Sequence, residues 1–180
     1  MRRRDVSFEV EGIKLVGQVY IPEEQPMPAV CLCHGVPRGG VSDPQDRGYP
    51  ALAERLCKAG FATLIFNFRG TGDSGGNFDV LGWARDLKVA LDFLCNMREV
   101  DGRISVMGFS GGAAVSVYVA AKDPRVSSVI ACACPTSFRF AADAERAKSA
   151  IQHFRNIGII RDEDFPPSLE AWVEGFQRVS

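Results

Sequence analysis

Hydrophobic and polar residues alternate along the first 21 positions, through "VSFEV", Glu11-Gly12 and "IKLVGQVYIP". Alternation puts every second side chain on one face of a strand. This stretch therefore predicts a β-hairpin with a tight turn at Gly12, ended by Pro22. Beyond the proline-broken loop "EEQPMP" the pattern changes: "AVCLCHG", "FATLIFNFRG", "RISVMGFS" and "VSSVIACACP" are short apolar runs without polar alternation. Strands of that kind are covered on both faces, as in a parallel sheet.

Helical periods separate these runs. "YPALAERLCKAG" has Pro50 near its start and Gly60 at its expected end. "LGWARDLKVALDFLCN" sets Trp83, Leu87, Leu91 and Leu94 on one helix face. "GGAAVSVYVAAKD" opens another helix directly after a serine. Together these predict an α/β fold: a three-layer αβα arrangement whose mostly parallel sheet carries an N-terminal antiparallel hairpin. After Pro135 no further strand is legible, and "DAERAKSAIQHFRN" and "SLEAWVEGFQRVS" read as amphipathic helices. Residues 1–180 read as one domain, with 136–180 as a helical cap or lid. In that segment Phe138, Phe140, Phe154 and Trp172 fit either pocket lining or ordinary packing.

Composition narrows the partners. A net charge of -1 gives no field to gather nucleic acid or an anionic membrane surface, so neither is expected as a partner. No apolar run reaches the roughly 18 residues of a membrane span. "MRRRDVSFEV" lacks the apolar core of a secretion signal, and a cytoplasmic location is expected. The cysteines at 31, 33, 57, 95, 132 and 134 fall in apolar strand-like or helical patterns without metal-ligand spacing. They are expected to be small buried thiols, not metal ligands or disulfides.

Chemistry concentrates in three glycine-marked stretches. Gly108-Phe109-Ser110-Gly111-Gly112 is a G-x-S-x-G sequence between a predicted strand and a predicted helix, the context in which a strained turn lifts a serine hydroxyl above the sheet. "CLCHGVPRGG" ends a strand with His34-Gly35 and leads into a loop carrying Gly39 and Gly40. "FRGTGDSGG" fits the G-x-G-x-x-G of a dinucleotide loop, but "GNFDV" intervenes before the helix and the acid at the required distance, Asp92, lies mid-helix.

These three stretches occur in the order and spacing of the α/β-hydrolase superfamily. The chain resembles the N-terminal three quarters of a small esterase- or peptidase-like member, related to the dienelactone-hydrolase and prolyl-oligopeptidase-type groups, over residues 6 to 135. The resemblance implies Ser110 as nucleophile and an oxyanion hole made by the backbone N–H groups of Val36 and Gly111. It also implies elbow and loop support from Gly108, Gly112, His34 and Gly35, and structural roles for Arg69 and Asp73. The implied substrate is a small-molecule or peptide acyl compound (ester, thioester or amide), with no metal or organic cofactor required.

The superfamily further needs an acid and then a histidine, each after a later strand. His34 and His153 are the only histidines. His34, at a strand end, is expected to organise its loop and not to act as base. Asp143 and His153 share one helical stretch and lie well apart along its axis, so a triad with Ser110 is not expected. Asp162 and Asp164 read as a solvated turn. The expectation is that acid and base lie beyond this chain and that the sheet lacks its last strands. The rival readings are an inactive binding protein of the same fold and a nucleotide-binding α/β protein.

Overall fold

The hairpin forms as the alternation predicts. In a computed structural model that describes residues 1–37, 39 and 48–180, β1 (Arg2–Val10) pairs antiparallel with β2 (Ile13–Ile21), with Val10 opposite Ile13. The two residues left over, Glu11 and Gly12, both take positive φ, 54° and 77°. Two such residues make the turn whose twist matches its flanking strands. β1 starts at Arg2, whose guanidinium, with that of Arg4, faces the buried Glu99 carboxylate.

The remaining strands are β3 (Met27–Cys33), β4 (Ala62–Phe66), β5 (Val100–Phe109) and β6 (Val126–Cys132). They join one sheet in the order β1-β2-β4-β3-β5-β6, in which β4, β3, β5 and β6 run parallel and β2 meets β4 antiparallel. One face carries α1 (Gly48–Lys58), over a small cluster of Tyr20, Val30, Leu32, Ala53 and Cys57. The other carries α2 (Val80–Cys95) and α3 (Gly111–Ala120), over Cys31, Leu64, Phe66, Ile104 and Val106. The fold is thus the expected three-layer α/β arrangement. α2 begins where the Asp79 carboxylate accepts the N–H groups of Leu81 and Gly82, a side-chain cap for otherwise unpaired amides.

Residues 136–180 form a 3-10 turn (Arg139–Ala141), α4 (Ala144–Asn156) and α5 (Leu169–Val179). They pack on the α2 side. Phe78 meets Phe154 and Phe176 at ring distances of 4.9 and 5.7 Å, and the Trp172 indole N–H donates to the Phe78 carbonyl. Phe138 and Phe140 lie against Phe176. Phe138, Phe140, Phe154 and Trp172 thus pack in one aromatic cluster, Phe154 and Trp172 buried and Phe138 and Phe140 half-buried.

Two expectations fail at β6. Its apolar run suggests cover on both faces, yet Ser127, Ser128, Ile130 and Ala131 are exposed. β6 is the last strand of the sheet, and α1 does not extend across it. Not every thiol is buried either: Cys31, Cys33 and Cys57 are, whereas Cys132 on β6 is half-buried, Cys134 just after it is exposed, and Cys95 is exposed at the end of α2. All six are free. No helix among the described residues is long and apolar enough to cross a membrane.

Candidate active site

Ser110 sits where β5 turns into α3, with φ 50° and ψ -122°. A non-glycine residue there is strained by about 1–3 kcal/mol and persists only if its surroundings enforce it. They do: the Ser110 N–H donates to the Cys132 carbonyl at 2.9 Å, and its own carbonyl accepts from Ala113 and Ala114. The residue is exposed at the end of the strand.

The flanking glycines are required by contact. A Cβ on Gly112 would collide with the carbonyl of His34 and come within 2.6 Å of that of Cys33. One on Gly108 would lie 2.5 Å from the Ser116 hydroxyl and 2.6 Å from the Gly112 carbonyl. β5, α3 and the end of β3 are pressed together at this corner, and any side chain would force them apart.

That closeness brings the β3 loop to the serine. A Cβ on Gly35 would stand 3.0 Å from the Ser110 Cβ, and one on Gly111 would stand 3.8 Å from the Val36 nitrogen. Among the described residues, neither the Val36 nor the Gly111 N–H donates to a protein acceptor. A buried amide without a partner is uncommon in folded chains, and the first amides of a helix are left open to water or a ligand. Here the two amides lie near the exposed Ser110, and Gly111 also opens helix α3, whose N-terminal dipole favours negative charge. Gly40 lies outside the described residues.

His34 is committed elsewhere. Its Nε2 accepts the Phe68 N–H at 3.2 Å, so the ring proton resides on Nδ1, which donates to the Gly35 carbonyl at 2.7 Å. The Thr71 hydroxyl also lies 3.1 Å from Nε2. Burial against Phe68 and Trp83 holds its pKa below the usual 6.5 and keeps the ring neutral. With both nitrogens engaged, it has no lone pair for a serine proton. The Gly35 carbonyl that it grips belongs to the same trans peptide as the Val36 N–H, and in a trans peptide the two point opposite ways. Fixing one aims the other.

The other candidates part from Ser110. Asp143 caps α4, accepting the Arg146 N–H and pairing with its guanidinium. His153 is exposed near the end of α4 beside Phe154. Asp162 and Asp164 are exposed at a turn, as expected, and Asp162 also accepts the Asn77 amide at 2.7 Å. Arg69 does have the expected structural role: its backbone and guanidinium hold the fully buried Asp86, and a third contact reaches Glu11. Burial opposes its charge, but these carboxylates outweigh that and raise its pKa. Asp73 is exposed and makes no ion pair among the described residues.

The glycine loop is poorly arranged to cradle phosphate. The N–H groups of Gly70, Thr71, Ser74 and Gly75 all donate to backbone carbonyls, and the loop turns its own carbonyls outward to Arg161. A phosphate site needs the reverse orientation. Sequence reasoning missed Asp86, Asn77, Tyr49 (whose hydroxyl accepts the Gly35 N–H) and Arg161. The "WARD" run could have offered Asp86 as a charge on an otherwise apolar helix face; the others leave no local signal.

Strand order, elbow and the HG loop together define an α/β hydrolase. Residues 11–156 match the family model of X-Pro dipeptidyl-peptidases (S15 family), and the chain belongs to that family. It is 30% identical to the quorum-quenching protein AidA of Acinetobacter baumannii over 77% of this chain and 45% of that protein. Among solved structures it is similar to the α/β hydrolase GrgF from Penicillium (25% identity, TM-score 0.69, covering 87% of this chain and 53% of that one). It is also similar to the Pyrococcus furiosus esterase Pf2001 (26% identity, TM-score 0.63, covering 99% and 61%). The chain spans about half the length of the curated relatives it matches.

Proposed function

We propose that this hydrolase-family chain carries the nucleophile and oxyanion hole of a serine hydrolase acting on an ester, thioester or amide. Ser110 Oγ attacks the acyl carbon, and the carbonyl oxygen becomes an anion held by the N–H groups of Val36 and Gly111. Collapse of that intermediate expels the alcohol, thiol or amine and leaves an acyl group on Ser110, which water then removes. Each oxyanion donor lowers the barrier by ~3–4 kcal/mol. Gly108 and Gly112 permit the elbow, while Gly35 and His34 set the loop.

The serine proton needs a base that then protonates the leaving group. Neither His34 nor His153 fills that role, and we assign acid and histidine to polypeptide outside these 180 residues. The observation that supports the reading most is an exposed serine at positive φ beside two amides that have no acceptor among the described residues. The engaged state of His34 equally favours a second reading, in which the fold binds an acyl compound without turning it over.

One experiment separates them. Treatment with a fluorophosphonate at alkaline pH, followed by peptide mass spectrometry, is expected to show slow phosphonylation of Ser110. The oxyanion hole alone retains roughly 10³–10⁴-fold of a triad enzyme's catalysis over water. The adduct is expected to vanish in Ser110→Ala. An adduct that persists in Ser110→Ala, or none on Ser110 after prolonged exposure, removes the serine hydrolase reading.

A further inference from the structure

The turn after α4 touches both loops beside Ser110. Arg161 Nη1 donates to the Ser74 carbonyl at 2.7 Å, and Nη2 to those of Gly72 at 2.9 Å and Gly70 at 3.3 Å. Its Nε returns to Gly158 at 3.1 Å, and its backbone N–H donates to the Asn77 side chain at 2.7 Å. One guanidinium thus closes the whole glycine loop, the planar fork supplying several fixed donors at once. Four residues earlier, Ile157 leans on the oxyanion loop, where a Cβ on Gly39 would lie 2.7 Å from its Cγ2.

The glycine loop in turn grips His34. Phe68, just before it, donates its N–H to Nε2, and Thr71 within it lies at 3.1 Å from the same nitrogen. His34 then pins the Gly35 carbonyl, and with it the direction of the Val36 N–H. We infer that Arg161 is a positioning residue for the oxyanion donor at Val36, acting through the glycine loop and His34. Residues 157–161 thereby couple the helical segment 136–180 to the reacting centre. This inference rests on the serine hydrolase reading for its catalytic meaning, though its geometry stands apart from it.

The test uses the 180-residue chain with uniform nitrogen-15 labelling. Arg161→Met keeps a stem of similar length and removes the fork; Arg161→Lys keeps the charge on one nitrogen. Trp172→Phe, at the α5 aromatic cluster, serves as the control for lost packing. Arg161→Met is expected to move the Val36 amide and the His34 ring-nitrogen resonances. It is also expected to slow Ser110 phosphonylation by ~10-fold or more, within the ~10²-fold that a misplacement of about 1 Å can cost. Arg161→Lys should fall between it and the wild type. Trp172→Phe should lower the melting temperature yet leave those resonances and that rate in place.

Val36 and His34 resonances unmoved in Arg161→Met, with only loop 70–74 shifting, would overturn the inference. Should Arg161→Met fail to fold, an Arg161→Lys chain identical to wild type at Val36 and in labelling rate overturns it equally. Absence of labelling in the wild type counts against the serine reading alone, since the resonances still report on the positioning chain.

Discussion

The two faces of the sheet differ sharply. On the α2 side, Trp83 is fully buried, stacks on Phe68 at 4.5 Å, meets the edge of His34 at 5.3 Å and donates its indole N–H to the Arg69 carbonyl. Aromatic contacts continue through Phe78 to Phe154 and Phe176. On the α1 side the core is confined to a few residues of β2, β3 and α1, and Ile130 on β6 is 48% exposed. The candidate site is anchored to the first face: its histidine, its arginine loop and the strap from α4 all rest there. The bare part of the second face bears no residue assigned to the chemistry.

The largest expected effect follows from this asymmetry. Trp83→Ala removes the ring on which His34 and Phe68 rest, and should cost about 3–5 kcal/mol in denaturant unfolding. A loss under about 1 kcal/mol would mean that the two faces do not differ as described.

Next comes Gly112→Ala. A methyl group directed at the His34 carbonyl should destabilise by about 1–3 kcal/mol and abolish Ser110 phosphonylation, because the elbow and the β3 loop cannot both keep their places. Wild-type labelling in that variant would show the corner to be looser than the contacts indicate.

A smaller effect is expected with pH. The folded pKa of His34 is depressed by burial, so the unfolded chain binds its proton more readily. The contribution is complete above the unfolded value near 6.5 and is lost as pH falls towards the folded pKa. The melting temperature should therefore drop between pH 7 and 5, and His34→Asn should flatten that slope. An unchanged slope in His34→Asn would place the pH response elsewhere.

The smallest effect belongs to the bare face. Ile130→Ser should change stability by no more than about 0.5 kcal/mol, as at other exposed positions. A large loss would reveal cover on β6.

The same asymmetry explains what could be read from the residues alone. The elbow was legible because its glycines and the alanines after it record contacts made within a few positions. The HG pair was legible because strand, histidine and glycine are adjacent. The bareness of β6 was not, since "VSSVIACAC" has the same apolar content whether its strand is central or last. Arg161 and Asn77 meet across 84 positions or more of intervening chain, and an arginine in "IIRDED" looks like any solvated charge. Asp162 lies in the exposed turn region expected of it, but its bond to Asn77, 85 positions away, left no local signal.

The central claim is that two main-chain amides, at Val36 and Gly111, await the anion formed at Ser110. The most direct measurement is a crystal structure of the phosphonylated chain. The phosphonyl oxygen is expected at about 2.7–3.1 Å from both nitrogens. An adduct on Ser110 whose oxygen points to solvent, with either amide bonded to another protein group, would contradict the account.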